Sequence, residues 1–108
     1  MWEANDTTRY HVKWQLNPLT TPEDPAKRAK LWESMLENVK ADLKSGRFTD
    51  WGAYSEINGG YCVAEGTETD VFTSLLKWIP YVIFEVKPVL SVDQVIAANK
   101  SVAKSKTK

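Results

Sequence analysis

A chain of 108 residues fits one domain and can bury a core without staples, since a domain of this size removes well over half of its unfolded surface from water. Fourteen basic side chains cancel fourteen acidic ones, so the chain lacks the overall basic excess that tracks a phosphate backbone, and 43% hydrophobic residues is too rich for disorder. Cys62 is the only cysteine, which excludes an internal disulfide and a cysteine-held zinc, and no secretory leader or membrane-length apolar run is visible; the expectation is a cytoplasmic protein.

Tyr10 to Leu16 alternate without a miss: Tyr10, Val12, Trp14 and Leu16 point one way, His11, Lys13 and Gln15 the other. A period of two predicts a strand over 9–17. The proline-rich stretch 16–25 then leads into a helix, capped by Thr21 with Pro22 at its first position or by Asp24 with Pro25 there. Leu31, Trp32, Met35, Leu36, Val39 and Leu43 have the spacing of one helical face, and Gly46 is a natural stop. "TDWGAYSEINGGYCVAEG" (49–66) predicts a hairpin with a two-residue turn at Asn58-Gly59 or Gly59-Gly60. One of its sides carries Ala53, Ser55, Ile57, Gly60, Cys62 and Ala64, mostly small; the other carries Tyr54, Glu56, Tyr61, Val63 and Glu65.

A second helix follows, with Thr67 and Asp70 as caps and Val71, Phe72, Leu75, Leu76 and Ile79 as its expected buried stripe. Residues 81–90 predict the last strand, and Ser91 with Gln94 opens a third helix with a thin apolar stripe. The order β-α-β-β-α-β is the ferredoxin-like pattern: α+β, an antiparallel sheet of usual order 4-1-3-2, and two helices on one face, here with a C-terminal helix added. The expectation is a single domain over 1–108, with residues 1–8 and 104–108 as flexible ends.

Parity then assigns the faces. Helices should cover Tyr10, Val12, Trp14 and Leu16, the small row of the hairpin, and Val82, Phe84 and Val86. The open face should carry His11, Lys13 and Gln15 beside Tyr81, Ile83, Glu85 and Lys87, with Tyr54, Glu56, Tyr61 and Val63 further across. That mixture is too aromatic for a plain wet surface, and predicts a homodimer packed sheet on sheet.

The segment "YCVAEGTETDVFTSLLKWIPYVIFEVKPVLS" (61–91) is similar to the second half of a family of small uncharacterised proteins in the dimeric α+β barrel superfamily. The features that carry the likeness are a strand ending in Glu65, an acidic helix start at Asp70, Trp78 late in the helix, and Phe84-Glu85-Val86 followed by Pro88-Val89. Ala64 departs from the pattern, where a larger residue is expected. The resemblance implies the fold and the dimer, and no defined reaction.

The candidate chemistry is short. His11 is the general-base candidate, read against a plain strand histidine in an interface. Lys13 and Glu85 are expected cross-strand neighbours, either an ion pair fixing register or groups that orient a ligand. A second site is a pocket between sheet and helices, walled by Trp14, Trp51 and Phe72 and floored by Ala53, Ser55, Cys62 and Ala64, unless the indoles fill the space themselves. Cys62 reads as an inert buried thiol, and neither a metal nor a cofactor is expected.

The reading that follows is a homodimeric module that binds a small organic molecule or serves a structural or regulatory role. Its binding residues would be Lys13, Trp14, Trp51, Tyr54, Tyr61 and Glu85. The alternative is a cofactor-independent monooxygenase or isomerase with His11 as base. A nucleic-acid-binding ferredoxin-like domain ranks last, because the chain has only Arg9, Arg28 and Arg47 and no basic sheet. No membrane partner is expected.

Overall fold

The computed structural model describes residues 8–105. The segments 1–7 and 106–108, expected to be flexible, lie outside the described residues, whereas Thr8 opens the first strand and Lys104 and Ser105 close the last helix. The elements are β1 (Thr8–Leu16), α1 (Pro25–Ser45), β2 (Phe48–Ala53), β3 (Gly59–Gly66), α2 (Glu68–Leu76), β4 (Val82–Val89) and α3 (Val92–Ser105). The class is α+β. Its four antiparallel strands lie in the order β2-β3-β1-β4, which read from the other edge is 4-1-3-2. The arrangement is compatible with a ferredoxin-like fold.

Local chemistry sets the element ends. Asp24 caps α1 by accepting from the Lys27 N–H at 3.0 Å, with Pro25 beginning the helix, and Gly46 ends it at φ 88°. Thr67 and Asp70 form a reciprocal capping box on α2, and Ser91 and Gln94 form another before α3.

The parity of β1 holds. Tyr10 and Val12 are buried with Val39 of α1, Val71 and Leu75 of α2, Trp78, Phe48, Cys62, Ala64 and Val82, so both helices cover the same face. Opposite Val12 stand Cys62 on β3 and Val86 on β4. The helices cover only the first half of β4, at Val82 and Phe84. Val86, expected beneath them, is exposed at the sheet edge.

The hairpin differs from expectation. Ala53 pairs with Gly60, and residues 54–58 form the loop, in place of a two-residue turn. The loop is longer because Asn58 is engaged elsewhere: its carbonyl accepts from the Leu16 N–H at 2.9 Å, which ties the turn to β1. Tyr54 N–H donates to the Gly59 carbonyl at 2.8 Å and Ile57 takes φ 83°. Tyr54, Ser55, Glu56 and Ile57 are therefore loop residues rather than rows of a sheet. A bulge between Phe48 and Asp50 adds one residue to β2, so that Phe48, opposite Ala64, and Trp51, opposite Cys62, both face the helices.

The helix faces also shift. On α1 the buried residues are Val39 and Asp42, while Leu36 and Leu43 are exposed. On α2 the covered row is Val71, Ser74, Leu75 and, past its end, Trp78; Phe72 (64% exposed), Leu76 (51%) and Ile79 (56%) lie outside. The apolar pairs at 71/72, 75/76 and 78/79 make both flanks of α2 hydrophobic, so spacing alone does not select the flank that packs.

Asp42 is the charged residue buried between the helices. Lys77 Nζ lies 2.9 Å from its Oδ1 and 2.8 Å from its Oδ2, and Oδ2 has no other partner among the described residues. Removing the ammonium leaves a buried carboxylate with no counter-charge, whereas removing the carboxylate leaves a lysine whose side chain already reaches water. Lys77→Met is therefore expected to cost about 2–3 kcal/mol, and Asp42→Leu distinctly less, in urea unfolding.

Candidate functional site

Trp14 and Trp51 build the wall of an apolar groove. Trp14 sits opposite Gly60 on β3 and Trp51 opposite Cys62, and their rings stack across that strand at 5.4 Å between centroids and 15° between planes. Trp14 lies flat over Gly60, where a Cβ would collide with the Gly52 carbonyl oxygen on β2 and stand 2.5 Å from the Trp14 Cζ2. Its Nε1 donates to the Tyr61 carbonyl at 3.2 Å, so the one polar atom of the ring is satisfied by backbone.

α1 supplies the opposite wall with Trp32, Met35, Leu36 and Val39, and Trp78 and Phe48 close the ends. Cys62, Val82 and Phe84 lie along the sheet side, and Ile57 reaches over from the hairpin loop. The cavity holds about 130 Å³ and its lining is almost wholly apolar. Arg28, one turn before Trp32 on α1, places its guanidinium 5.7 Å from that indole centroid and so orients one of the walls.

Cys62 is buried against this core. Burial, and secondarily the charge of Asp42, push its thiol up to about 12. A thiol so raised is not a thiolate near neutral pH and is no nucleophile there. The folded state holds the proton above the ordinary cysteine pKa of 9.0, while the unfolded chain releases it. This contribution to stability is whole below pH 9 and is lost as pH rises from about 9 to about 12.

The other face of the sheet is a different surface. His11 stacks on Tyr61 with centroids 5.9 Å apart and planes within 2°. The Tyr61 ring lies over Gly52, where a Cβ would come within 2.5 Å of its Cε1, and its hydroxyl donates to Asp50 Oδ2 at 2.9 Å. That hydrogen bond, more than partial burial or the Asp50 charge, raises the Tyr61 pKa. Lys13 stands opposite both Tyr61 and Glu85, yet the ion pair of Glu85 is with Lys87 at 3.4 Å. Both side chains of that pair are well exposed, so it adds little to stability.

The residues singled out in the sequence thus fall in three places. Trp14 and Trp51 line the groove. His11, Lys13, Tyr61 and Glu85 share the uncovered sheet face. Tyr54 lies in the hairpin loop. Of the other expected pocket residues, Cys62 lines the groove; Phe72 points outward, Ala53 and Ser55 are exposed, and Ala64 is buried without lining the cavity. Trp32 and Phe84 were legible as helix-covered residues and Trp78 as a feature of the family likeness, but no pattern marked them as walls of one cavity. Ile57 joins them only because the hairpin loop is longer than its turn motif indicates.

Three outcomes follow. Gly60→Ala should push β2 away at the Gly52 carbonyl and drive Trp14 off β3, shift the tryptophan emission and destabilise the fold by about 1–3 kcal/mol or more in urea titration. The native protein at pH 8 should resist iodoacetamide at Cys62, with alkylation appearing only once urea unfolds it. Stability should also fall between pH 9 and 12, and Cys62→Ala should flatten that fall.

The family described as a domain of unknown function, DUF3303, matches residues 8–103. No curated protein matches the chain. Among the described residues, no helix is long and apolar enough to cross a membrane.

Proposed function

Since the chain belongs to DUF3303, a family with no stated activity, we propose from its own geometry that it is a binding module for a small apolar or aromatic molecule. The observation that carries this is the groove between α1 and the sheet, in which four tryptophans surround a space of about 130 Å³ with almost no polar lining. A dry apolar cavity of about 150 Å³ accepts benzene, so the fitting ligand is a single aromatic ring or an apolar group of that size on a larger molecule. Stacking on Trp14 and Trp51, rather than hydrogen bonding, would hold it. Toluene should quench the tryptophan fluorescence saturably and raise the melting temperature. Met35→Trp, which fills the rim, should weaken that response about tenfold; an unchanged response would remove the groove as the site.

The second reading is a homodimer through the uncovered sheet face, in the manner of a dimeric α+β barrel. Exposed Ile83 and half-buried Val63 beside the His11–Tyr61 stack support it, since such apolar groups gain by leaving water. We do not extend the proposal to catalysis by His11, because His11 and the groove lie on opposite faces of the sheet. Nor do we extend it to nucleic acid: of the arginines, Arg9 alone is on the sheet face, and Arg28 donates to the Pro22 and Glu23 carbonyls.

A further inference from the structure

The groove between α1 and the sheet opens where its lining is exposed, at Leu36 (46%) on α1 and Ile57 (65%) on the hairpin loop. Trp32 and Leu36 stand four residues apart on one row of α1, and Arg28 is the next member of that row. Its guanidinium lies 5.7 Å from the Trp32 ring centroid, so a half-buried cation borders an indole that lines the cavity.

The pairing of this arginine is incomplete. Its Nη1 donates to the Pro22 and Glu23 carbonyls at 3.3 and 3.1 Å, which leaves the donors on Nε and Nη2 without a partner among the described residues. Asp24, one turn before it, uses its carboxylate on the helix cap. No described carboxylate lies within ion-pair distance of Arg28. Lys77 gives the contrast. It is the other cation laid over a groove tryptophan, 5.5 Å from the Trp78 centroid, and it has its counter-ion in Asp42.

We propose that the ligand of the groove is an aromatic or apolar monocarboxylate, with its ring inside and its carboxylate at the mouth on Arg28. This rests on the reading of the groove as a binding site and names the class of molecule it takes. The space of about 130 Å³ cannot hold the acid group itself, because an almost wholly apolar lining would strip it of water with no counter-charge. The charge must stay at the rim, beside the cation that lacks a carboxylate. A guanidinium offers N–H donors in one plane, as a carboxylate accepts them, and one positive charge meets one negative. The same group repels a cationic ligand and adds little to a neutral one.

Calorimetric titration of the full chain with phenylpropionate and its neutral counterpart phenylpropanol tests this near neutral pH, with toluene as the probe of the groove itself. The acid should bind about tenfold tighter than the alcohol, and the margin should shrink as salt is raised. Arg28→Met should bring the two to parity, whatever it does to both in common. Arg28→Lys should keep part of the margin, and Lys30→Met, exposed on another face of α1, should keep all of it. Met35→Trp should weaken both ligands. If toluene binds, three results would each overturn the proposal and leave the groove as a site: an acid no tighter than the alcohol, a margin that survives Arg28→Met, or one lost equally with Lys30→Met. An acid bound at full strength by Met35→Trp would place it outside the groove and overturn the proposal as well. Failure of toluene to bind would remove the groove reading, and this inference with it.

Discussion

The Trp14 indole resting on Gly60 is the contact from which the arrangement of the helix-covered face follows. With no Cβ beneath it, the ring lies along β3, reaches the Tyr61 carbonyl with its N–H and stacks with the Trp51 ring from β2. Trp51 is in place because the β2 bulge keeps it and Phe48 on one side. Two large rings lying flat leave a shallow aromatic floor rather than a filled interior. α1 stands over that floor with Trp32, Met35, Leu36 and Val39 on the groove side.

The uncovered face uses the same device with a different chemistry. Tyr61 lies over Gly52 as Trp14 lies over Gly60, and the two rings are carried by strands whose neighbours lack side chains at the point of contact. On this side the ring ends in a hydroxyl held by Asp50, with His11 stacked alongside and charges at Lys13, Glu85 and Lys87 beyond. One sheet thus presents a dry aromatic surface to its helices and a wet, mixed one outward, and the division follows from the unbroken alternation of β1 between them.

How far this was legible depends on the kind of signal. The β1 faces were plain because a period of two admits one assignment, and the caps at Thr67 and Ser91 were plain because side-chain capping is local chemistry; before α1 two overlapping cap signatures, at Thr21 and Asp24, were equally legible, and Asp24 is the one used. The hairpin was misread because Asn58-Gly59 is a strong local turn signal, while the hydrogen bond from Leu16 to the Asn58 carbonyl is a long-range one. The α2 stripe was misread because its apolar residues come in adjacent pairs, and only the position of α1, fixed through Asp42 and Lys77, decides which of each pair is covered. Asp42 itself was invisible to a hydrophobic pattern that passed to Leu43. For the candidate site, Trp14, Trp51 and Cys62 were placed together in the sequence, but Trp32 and Ile57 arrive from elements whose spacing to the sheet no local pattern encodes.

These constraints also distinguish the two walls of the groove. The C-terminal half of α1 is held by Val39 in the core and by the Asp42 carboxylate clamped on Lys77. Its N-terminal half has no fully buried residue: Leu31, Trp32 and Met35 are only partly covered, and Arg28 is engaged with the carbonyls of Pro22 and Glu23 in the preceding loop. A ligand of the kind proposed would therefore meet one wall that can yield, Trp32, Met35 and Leu36 on the lightly packed half of α1, and one that cannot, because Trp14 and Trp51 are carried by strands hydrogen-bonded to β3.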